Sequence, residues 1–150
     1  VEDEIEKAEF FFKVSYVYYY MKQTYFSMNY ANRALNIFKD YDEYAVQTIR
    51  CQFIVAGNYI DSMEFEKALN VFFNSLDVAK SINSDHLIGM SHINIGICFD
   101  ELKQYEDAAT HLEISLKLLE KKNNSFLPKA LFILTHVKAK QKRSILFKNK

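Results

Sequence analysis

Ala31–Phe38 (ANRALNIF), Glu66–Leu76 (EKALNVFFNSL) and Glu106–Leu116 (EDAATHLEISL) are three versions of one segment, each preceded by an aromatic-rich stretch and a short polar turn. Aligned on Ala34-Leu35, Ser75-Leu76 and Ser115-Leu116, the unit recurs after 41 and then 40 residues. A fixed period of this size marks stacked supersecondary units, none of which can bury its apolar face alone. Working outward, other columns fall into register. Small residues align at Ser27, Ala68 and Ala108, and again at Ser15, Ala56 and Gly96, where two helices of a hairpin must approach closely. Large apolar residues align between them at Val14, Val55 and Ile95 and at Tyr18, Tyr59 and Phe99.

Spacing within each unit is three and four residues, the helical period, and no strand alternation survives. The pattern predicts seven helices, over 3–20, 24–39, 44–61, 65–81, 86–101, 105–121 and 127–141. Asp85 is the expected cap of the fifth, and Pro128 suits the first turn of the seventh, where its missing N–H costs nothing. The repeats then run over about 3–43, 44–84 and 85–125, with a half repeat at 126–141 completing a repeat domain over 1–141. Residues 142–150 are left as a basic tail. Because the chain opens on Val1 with a helix under way, and KRSILFKNK supplies no matching second helix, it is expected to be a piece of a longer protein.

Composition agrees and excludes several classes. A chain of 150 residues with 3 Gly and 1 Pro lacks the corner residues that strand-and-turn folds need. Nineteen basic residues balance nineteen acidic ones, so there is no global field of the kind that draws a protein to nucleic acid or an anionic membrane. Charge is local instead, acidic at Glu2, Asp3, Glu4 and Glu6 and basic at Lys138, Lys140, Lys142, Arg143, Lys148 and Lys150, a stretch that reads as a contact for nucleic acid or an acidic protein or, equally, as a solvated helix end. Cys51 and Cys98 are too few for a disulfide framework or a thiolate zinc site, which fits a reducing cytoplasm and small core residues. His86, His92, His111 and His136 show no metal-ligand spacing. No phosphate loop or nucleophile elbow is present, so no catalytic residue, metal or cofactor is expected. The tyrosines at 16, 18, 19 and 20 suit core and groove lining better than base stacking, given the acidic start of their helix.

In a stack of helical hairpins the first helix of each pair lines the inner wall. That places Phe12, Lys13, Tyr16, Tyr19 and Tyr20, then Arg50, Phe53, Ile54, Gly57 and Asp61, on a common groove. Met90, Ile93, Asn94, Ile97 and Glu101 follow, with Ile133, Leu134 and Val137 from the half repeat. Such a wall, apolar and aromatic with isolated polar groups, orients a short ligand. Asp61 lies at the end of its helix, where the macrodipole disfavours a carboxylate by about 0.3–1 kcal/mol and something should compensate. Asn94 sits mid-helix, where its amide is able to hold one peptide carbonyl and one peptide N–H. On the residues alone, both also read as a solvated helix end and a polar group satisfied within its own repeat.

The paired helices resemble tetratricopeptide repeats, most clearly in NIGICFDELKQYEDAATHLEISL, where Gly96, Phe99, Leu102, Tyr105, Ala108 and Leu116 match that pattern in order. Ser15 and Ala56 depart from its glycine, and the period is longer than the usual 34. The resemblance implies an all-α, right-handed superhelix of about three and a half hairpins. More narrowly, AEFFFKVSYVYYYMKQTYFSMNYANRAL with CQFIVAGNYID and HINIGICFDELKQYEDA resembles the repeat region of Rap-family regulators, the response regulator aspartate phosphatases and Phr-peptide receptors of bacilli. Members join an N-terminal three-helix bundle to a repeat domain. They dephosphorylate or sequester response regulators of sporulation and competence, and secreted, re-imported Phr pentapeptides switch them off in this form of quorum sensing. The resemblance implies that Asp61 and Asn94 anchor the peptide backbone, with Asn58, Arg50 and Phe53 as neighbours, and that the phosphatase glutamine lies in a bundle outside this chain. The expected function is therefore a peptide-sensing module, without enzyme activity of its own and coupled to a response regulator. The alternative is a general protein-interaction scaffold or a self-associating repeat fragment, since the half repeat leaves Leu131, Ile133 and Leu134 uncovered.

Overall fold

Three turns are built alike. Lys22, Met63 and Lys103 all have left-handed backbones, with φ of 57°, 60° and 60°. Their own N–H groups bond back to the carbonyls of Tyr19, Ile60 and Asp100, while the next residues, Gln23, Glu64 and Gln104, reach the carbonyls of Tyr18, Tyr59 and Phe99 at 2.8–2.9 Å. This double closure satisfies the last carbonyls of one helix and reverses the chain into the next. Each turn recurs at the same interval as the sequence columns, so the repeat is a repeat of backbone geometry.

In the computed structural model, which describes residues 1–149, these turns join the hairpins α1 (Glu2–Tyr20) with α2 (Thr24–Phe38), α3 (Ala45–Asp61) with α4 (Phe65–Ser81), and α5 (Asp85–Glu101) with α6 (Tyr105–Glu120). A single 3-10 turn, Asp42–Tyr44, leads into α3, and α7 (Leu127–Lys148) follows the third hairpin. The described residues are all-α, seven helices without a strand, as the pattern predicts. Two boundaries differ. Ser84, and not Asp85, caps α5 by accepting a hydrogen bond from the Leu87 N–H at 3.3 Å, which leaves Asp85 as the first helical residue. The seventh helix continues past 141 because KRSILFK contains good helix formers and neither Gly nor Pro, so local propensity carries it on after the repeat match ends. Lys150, the last residue of the predicted tail, lies outside the described residues.

The helices form two compact units, Val1–Ile82 and Asn83 onward. The first buries Ile5, Ala8, Phe11, Ala34, Phe38 and Cys51 together, and Ala31, Ile54 and Val55 beside Tyr19 and Tyr59. In the second, Ile93, Leu112, Leu119, Ala130, Leu134 and Val137 form one cluster that seats α7 against the third hairpin. Ile93, Leu134 and Val137 are thus core residues and not the groove lining expected of them; only Leu131 of the α7 trio stands open, at 55% exposure.

The small-residue columns sit at the closest helix approaches. Ser15, Ser27, Ala56, Ala68 and Ala108 are fully buried. The Ser27 hydroxyl donates to the Ser15 carbonyl at 3.0 Å. At Gly96 an added Cβ would stand 2.7 Å from Leu112 Cγ and 3.3 Å from the Ala108 carbonyl oxygen, with Leu112 itself fully enclosed. Gly96→Ala is therefore expected to lose about 1–2 kcal/mol in urea unfolding, overpacking outweighing the gain in helix propensity. Met63→Gly, at an open turn that already requires positive φ, is expected to gain about 0.5–1 kcal/mol in the same assay.

Candidate functional site

The first unit holds an open cleft of about 480 Å³ between α1 and α3, lined by Phe12, Tyr16, Tyr19 and Tyr20 from one helix and Arg50, Phe53 and Ile54 from the other. All seven are residues that the repeat register assigns to the inner wall. On α1 they recur at helical spacing, so one face is almost wholly aromatic. Tyr16 and Tyr20 pack at 4.7 Å between ring centroids, and Tyr20 meets Tyr19 edge-on at 5.5 Å. Phe53 is braced from behind by Phe72 of α4, edge-on at 5.7 Å. Room for Tyr19 comes from Gly57, where a Cβ would stand 2.9 Å from the phenol oxygen. Burial is the main cause that raises the Tyr19 phenol above its ordinary pKa, with Asp61 adding to it; a hydrogen bond with Tyr20 does the same for Tyr16. These phenols are therefore neutral donors and acceptors at physiological pH.

Arg50 is exposed and makes no hydrogen bond or ion pair with any described residue, so an uncommitted guanidinium stands at the edge of an aromatic cleft. Asp61 is committed. Its carboxylate accepts from Lys22 Nζ at 2.9 Å, and Lys22 also lies 5.3 Å from the Tyr19 ring centroid. This is the compensation that the end of α3 requires, and that hydrogen bond is the main cause that raises the Lys22 pKa. The signal was present in sequence: Lys22 aligns with Met63, so the first turn lies level with the second. Both partners are partly exposed, 69% for Lys22 and 31% for Asp61, and a pair of this kind contributes little to stability.

Asn58 does not join the cleft. It is 2% exposed, and its amide donates to Ser27 Oγ at 2.8 Å and to the Ile54 carbonyl at 3.0 Å. It lies where α3 packs against α2, and the expectation that it neighbours the ligand is corrected on that ground. Asn94 belongs to the second unit, half-buried on the stripe of α5 that also leaves Met90, Ile97 and Glu101 partly open, and its side chain makes no hydrogen bond to described residues.

Sequence reasoning also missed three polar pairings in the second unit. His92 and His111 stack at 5.1 Å with their Nδ1 atoms 2.9 Å apart, within hydrogen-bonding distance. Lys140 grips both oxygens of Asp100, at 3.0 and 2.8 Å, and Lys138 pairs with Glu113 at 2.8 Å, so the basic stretch is partly spent on ion pairs. Among the described residues no cluster of three or more His, Cys, Asp or Glu is placed to hold a metal, and no helix is long and apolar enough to cross a membrane. Burial raises both thiols to about 12, which leaves Cys51 and Cys98 as protonated core atoms.

Two outcomes follow from this geometry. Asn58→Ala is expected to cost about 2–3 kcal/mol in chemical unfolding, two buried hydrogen bonds being lost with the side chain. Neither cysteine is expected to react with a thiol reagent at neutral pH while the chain is folded, and both are expected to react in urea.

Scanned against models of known protein families, the chain matches none. Against individual proteins it does. It is 70% identical over 141 residues to response regulator aspartate phosphatase I of Bacillus subtilis (strain 168), covering 94% of this chain and 36% of that protein. The crystal structure of the apo form of RapI superposes with a TM-score of 0.92 at 69% identity, over 95% of this chain and 40% of that one. A Rap protein crystallised with competence and sporulation factor superposes at 0.83 with 41% identity, over 96% of this chain and 40% of that one. The chain thus spans about two-fifths of the length of the proteins it matches, and over that span its sequence and fold match those of Rap-family regulators.

Proposed function

We propose that this chain is a peptide-sensing module of a Rap-type regulator, acting in the cytoplasm, in which a short signalling peptide lies against the tyrosine-lined cleft and its occupancy is passed to a response-regulator partner through other parts of the regulator. The observation that carries this reading is the cleft between α1 and α3: aromatic walls, neutral phenols and one cation, Arg50, without an ion-pair partner among the described residues. A related Rap protein bound to competence and sporulation factor supports the ligand class. In this reading Arg50 takes a peptide carboxylate or carbonyl, and Phe53 with the tyrosines takes an apolar side chain. Asp61 exchanges Lys22 for a peptide N–H or cationic group, and Asn94, on the second unit, is taken as a peptide contact in its own right.

Titration calorimetry with a panel of pentapeptides tests it. Saturable binding is expected for at least one sequence, weakened about tenfold by Asp61→Ala and by Asn94→Ala, the size of one lost hydrogen bond. Lys22→Ala frees the carboxylate and is expected to tighten binding. Affinity indifferent to both anchor substitutions would overturn the assignment. Related proteins carry phosphatase names, yet the chain presents no group suited to phosphoryl chemistry in the cleft; incubated alone with a phosphorylated response regulator, it is expected to leave the rate of phosphate loss at background.

A second reading, self-association, is favoured by one observation: α7 exposes Leu131, Phe132, Ile145 and Leu146, each more than half open. Light scattering during size-exclusion chromatography separates the two readings, since a peptide sensor of the first kind stays monomeric while it binds.

A further inference from the structure

On the face of α3 opposite the tyrosine cleft lies a second concavity of about 490 Å³, walled by Leu35 of α2 and by Val78 and Ile82 at the end of α4, with Asp42 at its rim and Thr48 and Gln52 of α3 at its floor. Gln52 is 9% exposed, and its Oε1 is the one buried side-chain polar atom among the described residues without a hydrogen-bond partner. The repeat register says why. Gln52 aligns with Phe11 in the first hairpin and His92 in the third, while Val71 of α4 aligns with Tyr30 and His111. In the first hairpin the column is filled by the ring pair Phe11–Tyr30, 5.9 Å between centroids, and in the third by the imidazole pair 2.9 Å apart. In the second, an amide stands where the aligned residue of the partner helix, Val71, carries no polar side-chain atom.

We propose that this concavity is a ligand site for a peptide group flanked by one aliphatic side chain, distinct from the site proposed above and sharing no lining residue with it. A peptide group carries one donor and one acceptor, which complements the carboxamide of Gln52 whichever of its ends is presented, and the last torsion of a glutamine is soft enough to present either. Leu35, Val78 and Ile82 form the apolar wall for the flanking side chain. The volume lies within the range of about 300–1,000 Å³ usual for small-ligand sites, more than one water needs to satisfy a single oxygen.

The probe is N-acetyl-leucine-N-methylamide, titrated into the whole chain and followed by nitrogen–proton correlation spectra that include side-chain amides. Saturable shifts are expected at the Gln52 side-chain amide and at the backbone of Leu35 and Val78, with the amides around Tyr16 and Phe53 unmoved. Gln52→Met keeps the volume and is expected to weaken binding about tenfold. Ile82→Trp, at a rim position that is 37% exposed, fills the concavity without touching the amide and is expected to abolish binding. No saturable shift, or equal affinity in Gln52→Met, would overturn the proposal; so would a crystal soaked with the probe that shows a water alone on Gln52. Shifts confined to the tyrosine cleft would also overturn it, and would leave the peptide-sensor reading standing.

Discussion

The structure depends on how closely the two helices of each hairpin approach. Ser15 meets Ser27 and Gly96 meets the Ala108 carbonyl across their hairpins, the aligned Ala56 and Ala68 are fully buried, and at Gly96 no room is left for a single additional carbon. Helices that touch at small residues cannot slide without driving a large side chain into the contact. Register within each hairpin follows from that restriction, and the left-handed turns at Lys22, Met63 and Lys103 follow from the register, since each closes its helix at the same level.

The same restriction makes a cleft from otherwise ordinary residues. With the small columns turned inward, the α1 stripe of Phe12, Tyr16 and Tyr20 and the α3 stripe of Arg50 and Phe53 are turned to the same cleft. The rings pack on one another, Phe12 on Tyr16, Tyr16 on Tyr20 and Tyr20 on Tyr19. Arg50 stays free because no acid of the first unit falls on its stripe within reach, while Asp61 is held by Lys22 until something competes for it. Its walls contain phenols, phenyl rings and a guanidinium, and both thiols are sealed in the core with their protons held tightly.

Hairpins, helix spans and the inner wall of the first unit were legible because they depend on period alone, and the period is printed in the small and aromatic columns. What was not legible depends on the particular atom opposite a side chain. Asn58 shares a helix with Arg50 and Phe53, but it is turned toward Ser27, a partner thirty-one positions away. His92 and His111 carry no ligand-like spacing because their contact runs between the two helices of one hairpin. Ile93, Leu134 and Val137 read as lining, yet they pack together with Leu112 and Leu119 where α7 meets the third hairpin. The extension of α7 to Lys148 escaped the repeat alignment because it rests on local propensity and not on a matching column.

The central claim, that a peptide is held between α1 and α3, is tested most directly by a crystal structure of the chain with a bound pentapeptide. The account predicts the peptide seated against Tyr16, Tyr19 and Phe53, with Arg50 turned onto one of its oxygens and Lys22 displaced from Asp61. A peptide lying elsewhere on the chain, with the Lys22–Asp61 pair intact and Arg50 still unpaired, would contradict it.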